Sequence, residues 1–252
     1  METLSVTQQG PDAILKLDRG KVNPINMKMV EELREQLRAL TDDPAVRGVI
    51  FTGGDGVFCA GLDVIELYEY DRDTLDTFWT EFGGLVRDLV AFRKPLVGAI
   101  GGHAPAGGCV FAMPCDYRLM ADGRGRIGLN EVAVNVVLPG TLYDLMAFCV
   151  GNAKAYDLIL SGALLLPPDA KRIGLVHDVC PGEKLIERAT AKLDEWGRLN
   201  AEVWSRTKMN LRAPLLRCLD RPFDELYGAT IDYWWSDEGR EAIGGFVASL
   251  KR

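Results

Sequence analysis

The residues best suited to do chemistry lie in the segment HAPAGGCVFAMPCDYRLMADGRGRIGLNEVAVNVVL, positions 103–138. It offers a glycine pair, Gly107-Gly108, at the entrance of a short apolar helix, and one carboxylate set in an apolar stretch, Glu131. Glycines at a helix entrance leave backbone N–H groups without partners, and such groups welcome negative charge. Glu131 is flanked by Ile127, Leu129, Val132, Val134, Val136 and Val137. Desolvation there disfavours the charged form and moves the carboxyl toward the range of a useful general base. The alternative is that Glu131 only caps a turn or points to water. Adding water across a double bond needs one group to activate water and another to protonate carbon. The position for a second acid, just past the glycine pair, holds Val110. One carboxylate beside N–H donors suits a proton shuttle better than a hydration site.

A second candidate segment is Phe58-Cys59-Ala60-Gly61-Leu62-Asp63, which follows a strand pattern and the turn Gly53-Gly54-Asp55-Gly56. Its small residues let the backbone approach a ligand, so a main-chain N–H there could face an oxygen. The competing reading is a plain strand-to-helix turn with Asp63 at the helix start. The glycine pair matches neither a phosphate loop nor a dinucleotide fingerprint. His103 and His177 read as structural, since no acid at an informative spacing completes a triad.

The elements that must position these segments alternate short apolar runs with helical patterns, which is an α/β class. Ser5 to Gln8 and Ala13 to Leu17 read as a hairpin around Gly10, Pro11 and Asp12. Met27, Val30, Leu33, Leu37 and Leu40 share a helix face, as do Leu75, Phe78, Phe82, Leu85 and Leu89. Strands are expected at Val46 to Thr52, Leu96 to Ile100, Asp116 to Ala121 and Leu175 to Val179. From about Trp196 the strand signals stop and a helical appendage is expected, with apolar positions at Leu215, Leu219, Phe223 and Leu226. Its cluster Tyr233-Trp234-Trp235 suits core or subunit interface, with an acyl pocket as the alternative, since aromatics bury large areas in either of the first two settings.

Composition excludes several classes. The 252 residues, 48% hydrophobic and 26% charged, suit one large core or a core with a small appendage. A net charge of −7 argues against coating nucleic acid. No basic leader and no apolar run of about eighteen residues is present, so an unexported protein outside the membrane is expected. The six cysteines contain no CxxC pair and only two histidines accompany them, so buried reduced thiols in a cytoplasmic protein are expected, with no metal. The ending SLKR is no peroxisomal address.

Together these motifs resemble the crotonase, or enoyl-CoA hydratase/isomerase, superfamily, and the resemblance runs almost end to end. FCAGLDV and APAGGCVFAMPCDYRLMAD are similar to the family's two oxyanion segments, and IGLNEVAVNVVLPG to the segment bearing a catalytic glutamate. LSGALLLPPDAKRIGLVHDVCP and SDEGREAIGGFVASLKR are similar to later parts of the family pattern. Within the superfamily the chain is most similar to the mitochondrial-type Δ3,Δ2-enoyl-CoA isomerases, through PAGGC, CDYR, IGLNE and the pair Pro167-Pro168. The dehalogenase pattern needs an Asp where this chain has Val137, Leu138 and Pro139.

The resemblance implies a spiral of ββα units over 1–195 and a helical trimerisation region over 196–252, assembled as a homotrimer or hexamer. It implies an acyl-CoA thioester substrate, with coenzyme A part of that substrate and no separate cofactor. It implies Glu131 as the base and the N–H groups of Leu62 and Gly107 as the oxyanion hole. Contacts to the substrate are expected from Ala60, Gly61, Asp63, Gly108 and Val110. The implied reaction shifts the double bond of a 3-enoyl thioester to the 2-position in fatty acid oxidation. A hydratase, lyase or hydrolase using an acid such as Asp63, Glu66 or Glu69, and a non-catalytic acyl-CoA binder, are the alternatives.

Overall fold

The computed structural model describes residues 1–251; Arg252, the end of SLKR and of the expected 196–252 region, lies outside them. The chain opens with the hairpin β1 (Leu4–Gln9) and β2 (Asp12–Leu17), followed by α1 (Met27–Asp42). Three turns of a spiral come next. The first holds β3 (Gly48–Thr52), β4 (Gly56–Val57), α2 (Val64–Tyr68) and α3 (Arg72–Ala91). The second holds β5 (Leu96–Ile100), β6 (Gly102–Pro105) and α4 (Gly107–Ala112). The third holds β7 (Tyr117–Ala121), β8 (Ile127–Gly128), a 3-10 turn at Glu131–Val134, α5 (Gly140–Val150), α6 (Asn152–Ser161) and α7 (Pro167–Arg172). A final strand, β9 (Asp178–Cys180), precedes α8 (Leu185–Trp196), α9 (Ala201–Leu219), α10 (Phe223–Trp235) and α11 (Asp237–Leu250).

In each turn the first strand joins a large sheet and the second a small one. The large sheet has the order β1-β2-β3-β5-β7-β9, antiparallel only between β1 and β2. The small sheet has the order β4-β6-β8 and is parallel. The runs GVIFT and LVGAI are buried throughout and almost wholly apolar because both faces of the large sheet are covered. Ile50, Val97 and Leu119 meet Leu185, Ala189 and Leu193 of α8, while Val49, Phe51, Leu96 and Met120 face the main core.

The α1 and α3 faces are buried as their periodicity predicts, except that Met27 is only partly covered. Asn26 caps α1 by accepting the Met29 N–H at 3.1 Å. Two expectations shift. Helix begins at Leu185 rather than near Trp196, and Leu215, Leu219, Leu226, Ile231 and Trp234 pack into the same core as the spiral. The last strand is Asp178–Cys180, not Leu175 to Val179. Leu175 and Val176 are buried, but the chain turns at Gly174 (φ 85°) and the Val176 N–H donates to Ala170 O.

Four of the six cysteines are buried and all are free. No described helix is long and apolar enough to cross a membrane. Among the described residues no group of His, Cys, Asp or Glu is arranged to hold a metal.

Candidate active site

Each chemistry-bearing segment leaves the C-terminal end of one strand of the small sheet. Val57 of β4 leads into Phe58–Asp63, Pro105 of β6 into Ala106–Gly107, and Gly128 of β8 into Leu129–Glu131. The strands are in register as Val57 with His103 and Pro105 with Gly128, so residues far apart in sequence emerge side by side. Ends of parallel strands are where α/β sheets present ligand sites. Beyond the ladder, Phe58 N–H donates to His103 O at 2.9 Å and Ala106 N–H to Gly128 O at 2.8 Å.

Contact between the first two segments depends on glycine. A Cβ at Gly107 would sit 2.7 Å from the Ile25 side chain and 3.2 Å from Gly61 Cα; one at Gly108 would overlap the Cys59 carbonyl. Gly61 has φ +97°, and a Cβ there would lie 3.3 Å from the Gly107 nitrogen. Ala106, between β6 and α4, is held at φ 46°, a conformation that costs an alanine energy and that recurs at functional sites.

Leu62 forms an isolated parallel bridge with Ile25. Ile25 N–H donates to Gly61 O, and Asp63 N–H to Ile25 O, both at 2.8 Å. The residues on either side of Leu62 therefore take the bonds toward Ile25, and the Leu62 N–H is turned the other way. Neither it nor the Gly107 N–H donates to an acceptor among the described residues.

Glu131 opens the 3-10 turn, which Asn135 closes in the left-handed region at φ 61°. The side chain is buried and its Oε2 has no hydrogen-bond partner. Burial pushes the carboxyl up to about 7, against a small opposing pull from its own backbone N–H. Cys109, in the first turn of α4, is near enough that the Glu131 charge adds to burial in raising its thiol.

The remaining expected contact residues sit around these segments. Gly108 and Val110 are buried within α4, directly after Gly107, which is buried too. Ala60 is exposed, with its N–H given to Val22 O at 2.9 Å. Asp63 is the helix-start residue of the plainer reading. Its Oδ1 accepts the Glu66 N–H at 3.1 Å and its Oδ2 the Arg19 guanidinium at 2.7 Å, so both oxygens are engaged. Glu66 is held by Arg19, Asn26 and Tyr70. Glu69 is exposed at the end of α2, with its nearest cation, Lys251, 3.9 Å away. Arg19, Asn23 and Asn26 were not singled out by sequence; the only signal was Asn26 ahead of a helical face.

His177 is structural, as its lack of a partner acid implies. Its Nδ1 accepts the Arg118 backbone N–H at 3.0 Å, and burial with nearby Arg118 holds its pKa at about 4. Trp234 belongs to the core, whereas Tyr233 lines an apolar groove of about 760 Å³ beside the Glu131 segment. Val132, Val136, Leu138, Tyr143 and Leu160 line it too, with no charged side chain among the described lining residues.

These features define an α/β protein of ββα turns whose chemistry-bearing segments converge at the ends of a small parallel sheet. Known proteins share that plan. The family described as enoyl-CoA hydratase/isomerase matches residues 10–247. Mouse mitochondrial enoyl-CoA delta isomerase 1 is 34% identical over 76% of this chain and 68% of its own length. A probable enoyl-CoA hydratase of Rhizobium meliloti is 30% identical over 99% of this chain and 96% of its own. The crystal structure of human mitochondrial delta3-delta2-enoyl-CoA isomerase matches with a TM-score of 0.95 at 29% identity, covering 99% of this chain and 98% of that one. The chain belongs to the enoyl-CoA hydratase/isomerase family, in the crotonase superfamily.

Proposed function

We propose that this protein is a Δ3,Δ2-enoyl-CoA isomerase of fatty acid oxidation with Glu131 as its single proton shuttle. The observation that carries the reading is the solitary state of that carboxylate: buried, with no hydrogen-bond partner at Oε2, and raised by burial. Of the acids suspected of serving a hydratase, Asp63 and Glu66 are bound by Arg19 and Glu69 is exposed at the end of α2, while the position just past the glycine pair is the buried Val110.

Glu131 takes a proton from C2 of a 3-enoyl thioester, and the electron pair moves to the thioester oxygen. The Leu62 and Gly107 N–H groups stabilise that oxygen where charge develops, an effect worth about 3 kcal/mol for each donor. Glu131 then returns the proton to C4, and the double bond closes between C2 and C3. No water is consumed and no cofactor takes part, coenzyme A being a portion of the substrate. The coenzyme A portion passes the exposed Ala60, and the apolar groove beside Glu131 receives the acyl chain. The assembly that goes with this reading is a homotrimer, or a hexamer of two trimers, joined through 196–252. Leu199, Val203 and Leu211, exposed on and before α9, suit such a contact.

The test is a mass-resolved assay with 3-enoyl-CoA and, separately, 2-enoyl-CoA in heavy-oxygen water. Conversion of the 3-enoyl to the 2-enoyl ester without oxygen uptake supports the isomerase. Labelled 3-hydroxyacyl-CoA would instead favour a hydratase, the activity for which the Rhizobium relative is named. The pH profile gives a second check. A base must be deprotonated to act, so kcat/KM is expected to rise about tenfold per pH unit below a midpoint near 7 and to level off above it.

A further inference from the structure

The segment carrying Leu62 is clamped to the chain before α1 by a polar cluster centred on Arg19. Its Nη1 donates to Asp63 Oδ2 at 2.7 Å and to Pro24 O at 2.9 Å, while Nη2 donates to Glu66 Oε2 at 3.1 Å. Asn26 Nδ2 donates to the same Glu66 oxygen at 2.9 Å, and Tyr70 Oη to Glu66 Oε1 at 2.7 Å. Asn23 adds a second tie: its Oδ1 accepts the Arg19 N–H at 2.8 Å and its Nδ2 donates to Phe58 O at 3.0 Å. The cluster brackets the Ile25–Leu62 bridge. Pro24 and Asn26 adjoin Ile25, and Asp63 adjoins Leu62.

The direction of the Leu62 N–H is set by how Gly61 and Asp63 pair with Ile25, and a single bridge is a weak hinge. Gly61 in particular, at φ +97°, is free to rotate unless held. Arg19 spans both sides of the bridge with charge-assisted bonds to two carboxylates and one to a carbonyl, a planar fork a lysine cannot reproduce. Its side chain is about one quarter exposed and that of Asp63 less, so the contact is partly shielded from water. We propose that Arg19, acting through Asp63 and Glu66, is a positioning residue that aims the Leu62 N–H at the thioester oxygen. The inference rests on the oxyanion role of Leu62 proposed above.

The test compares wild type with Arg19→Met, Arg19→Lys and Asp63→Asn. Asp63→Asn keeps a capping side chain while removing the charge, so it stands in if Arg19→Met fails to fold. Three readouts are needed: kcat and KM for 3-enoyl-CoA, the absorption shift of a bound aryl-enoyl thioester of coenzyme A, and the affinity for S-hexyl-CoA. The thioester reports hydrogen bonding to its carbonyl; the thioether has no carbonyl. Arg19→Met is expected to lower kcat about 10- to 100-fold and to reduce the absorption shift, with S-hexyl-CoA affinity unchanged. Arg19→Lys should restore part of both losses. An undiminished absorption shift and kcat in Arg19→Met and Asp63→Asn would overturn the proposal. So would an equal loss of thioester and thioether affinity, which would make Arg19 a coenzyme A contact. Absence of any shift in wild type would overturn the oxyanion reading itself, a failure visible before any variant is made.

Discussion

Glu131→Gln is expected to lower isomerase turnover by a factor of about 10²–10⁴, the usual contribution of a positioned acid–base group. Glutamine has nearly the same shape but cannot take a proton, so binding of S-hexyl-CoA should persist while conversion of 3-enoyl-CoA stops. Turnover near the wild-type value would remove Glu131 from its role. The same variant carries a stability signature with a definite sign. The folded carboxyl has its pKa raised to about 7 from an ordinary 4.5. Between those values the folded state holds a proton that the unfolded state has lost, so stability falls as pH rises through this window. The burial penalty is absent below the unfolded value and complete above the folded one, where it is worth about 3 kcal/mol. Wild type and Glu131→Gln should therefore melt together near pH 4.5 and separate by several degrees at pH 8, with the variant higher. A constant gap across that range would show that burial does not raise this carboxyl.

Asp116→Ala is expected to be the most damaging single change to the fold. Asp116 Oδ2 accepts Lys208 Nζ and its Oδ1 accepts Arg212 Nη2, each at 2.7 Å, and all three side chains are nearly buried. The two cations also reach main-chain carbonyls: Lys208 that of Lys94, and Arg212 those of Val90 and Pro114. Asp116 accepts the Leu96 N–H as well, so one carboxylate joins α9 to the start of β5. Burial, followed by Arg212, already pulls Lys208 down to about 8 against the opposing effect of Asp116. Removing the carboxylate leaves two buried cations without their counter-ion, at a cost of about 3–5 kcal/mol. For a chain of this size that is a fall in Tm of roughly 2–4 °C per kcal/mol. Urea denaturation should show the same loss, and a change under 1 kcal/mol would mean the carbonyls alone carry the two cations.

Legibility followed the range of the interactions. The faces of α1 and α3 were readable because a helix repeats every 3.6 residues and its burial is set by neighbours three and four apart. Strands β3 and β5 were readable because burial on both sides makes the run almost wholly apolar. The strands β4 and β8, two residues each, and the glycine- and proline-bounded β6 had no such pattern, yet they are the elements that gather the site. The contact roles of Gly108 and Val110 come from the family resemblance, and their burial in α4 comes from long-range packing that no local pattern records.

By itself the sequence determined the α/β class, the solitary carboxylate at 131, the glycines at 61 and 107 and the valine at 110, because each is a matter of residue type and short spacing. The tertiary structure alone decided that three segments about 25 to 70 residues apart meet at the C-terminal ends of the small sheet. It also decided that Asp63 and Glu66 are bound by Arg19 and that the C-terminal helices share the main core. Those facts depend on strand register and on ion pairs between residues more than 40 positions apart. Such contacts form when the sheets assemble, and no local preference of the chain records them.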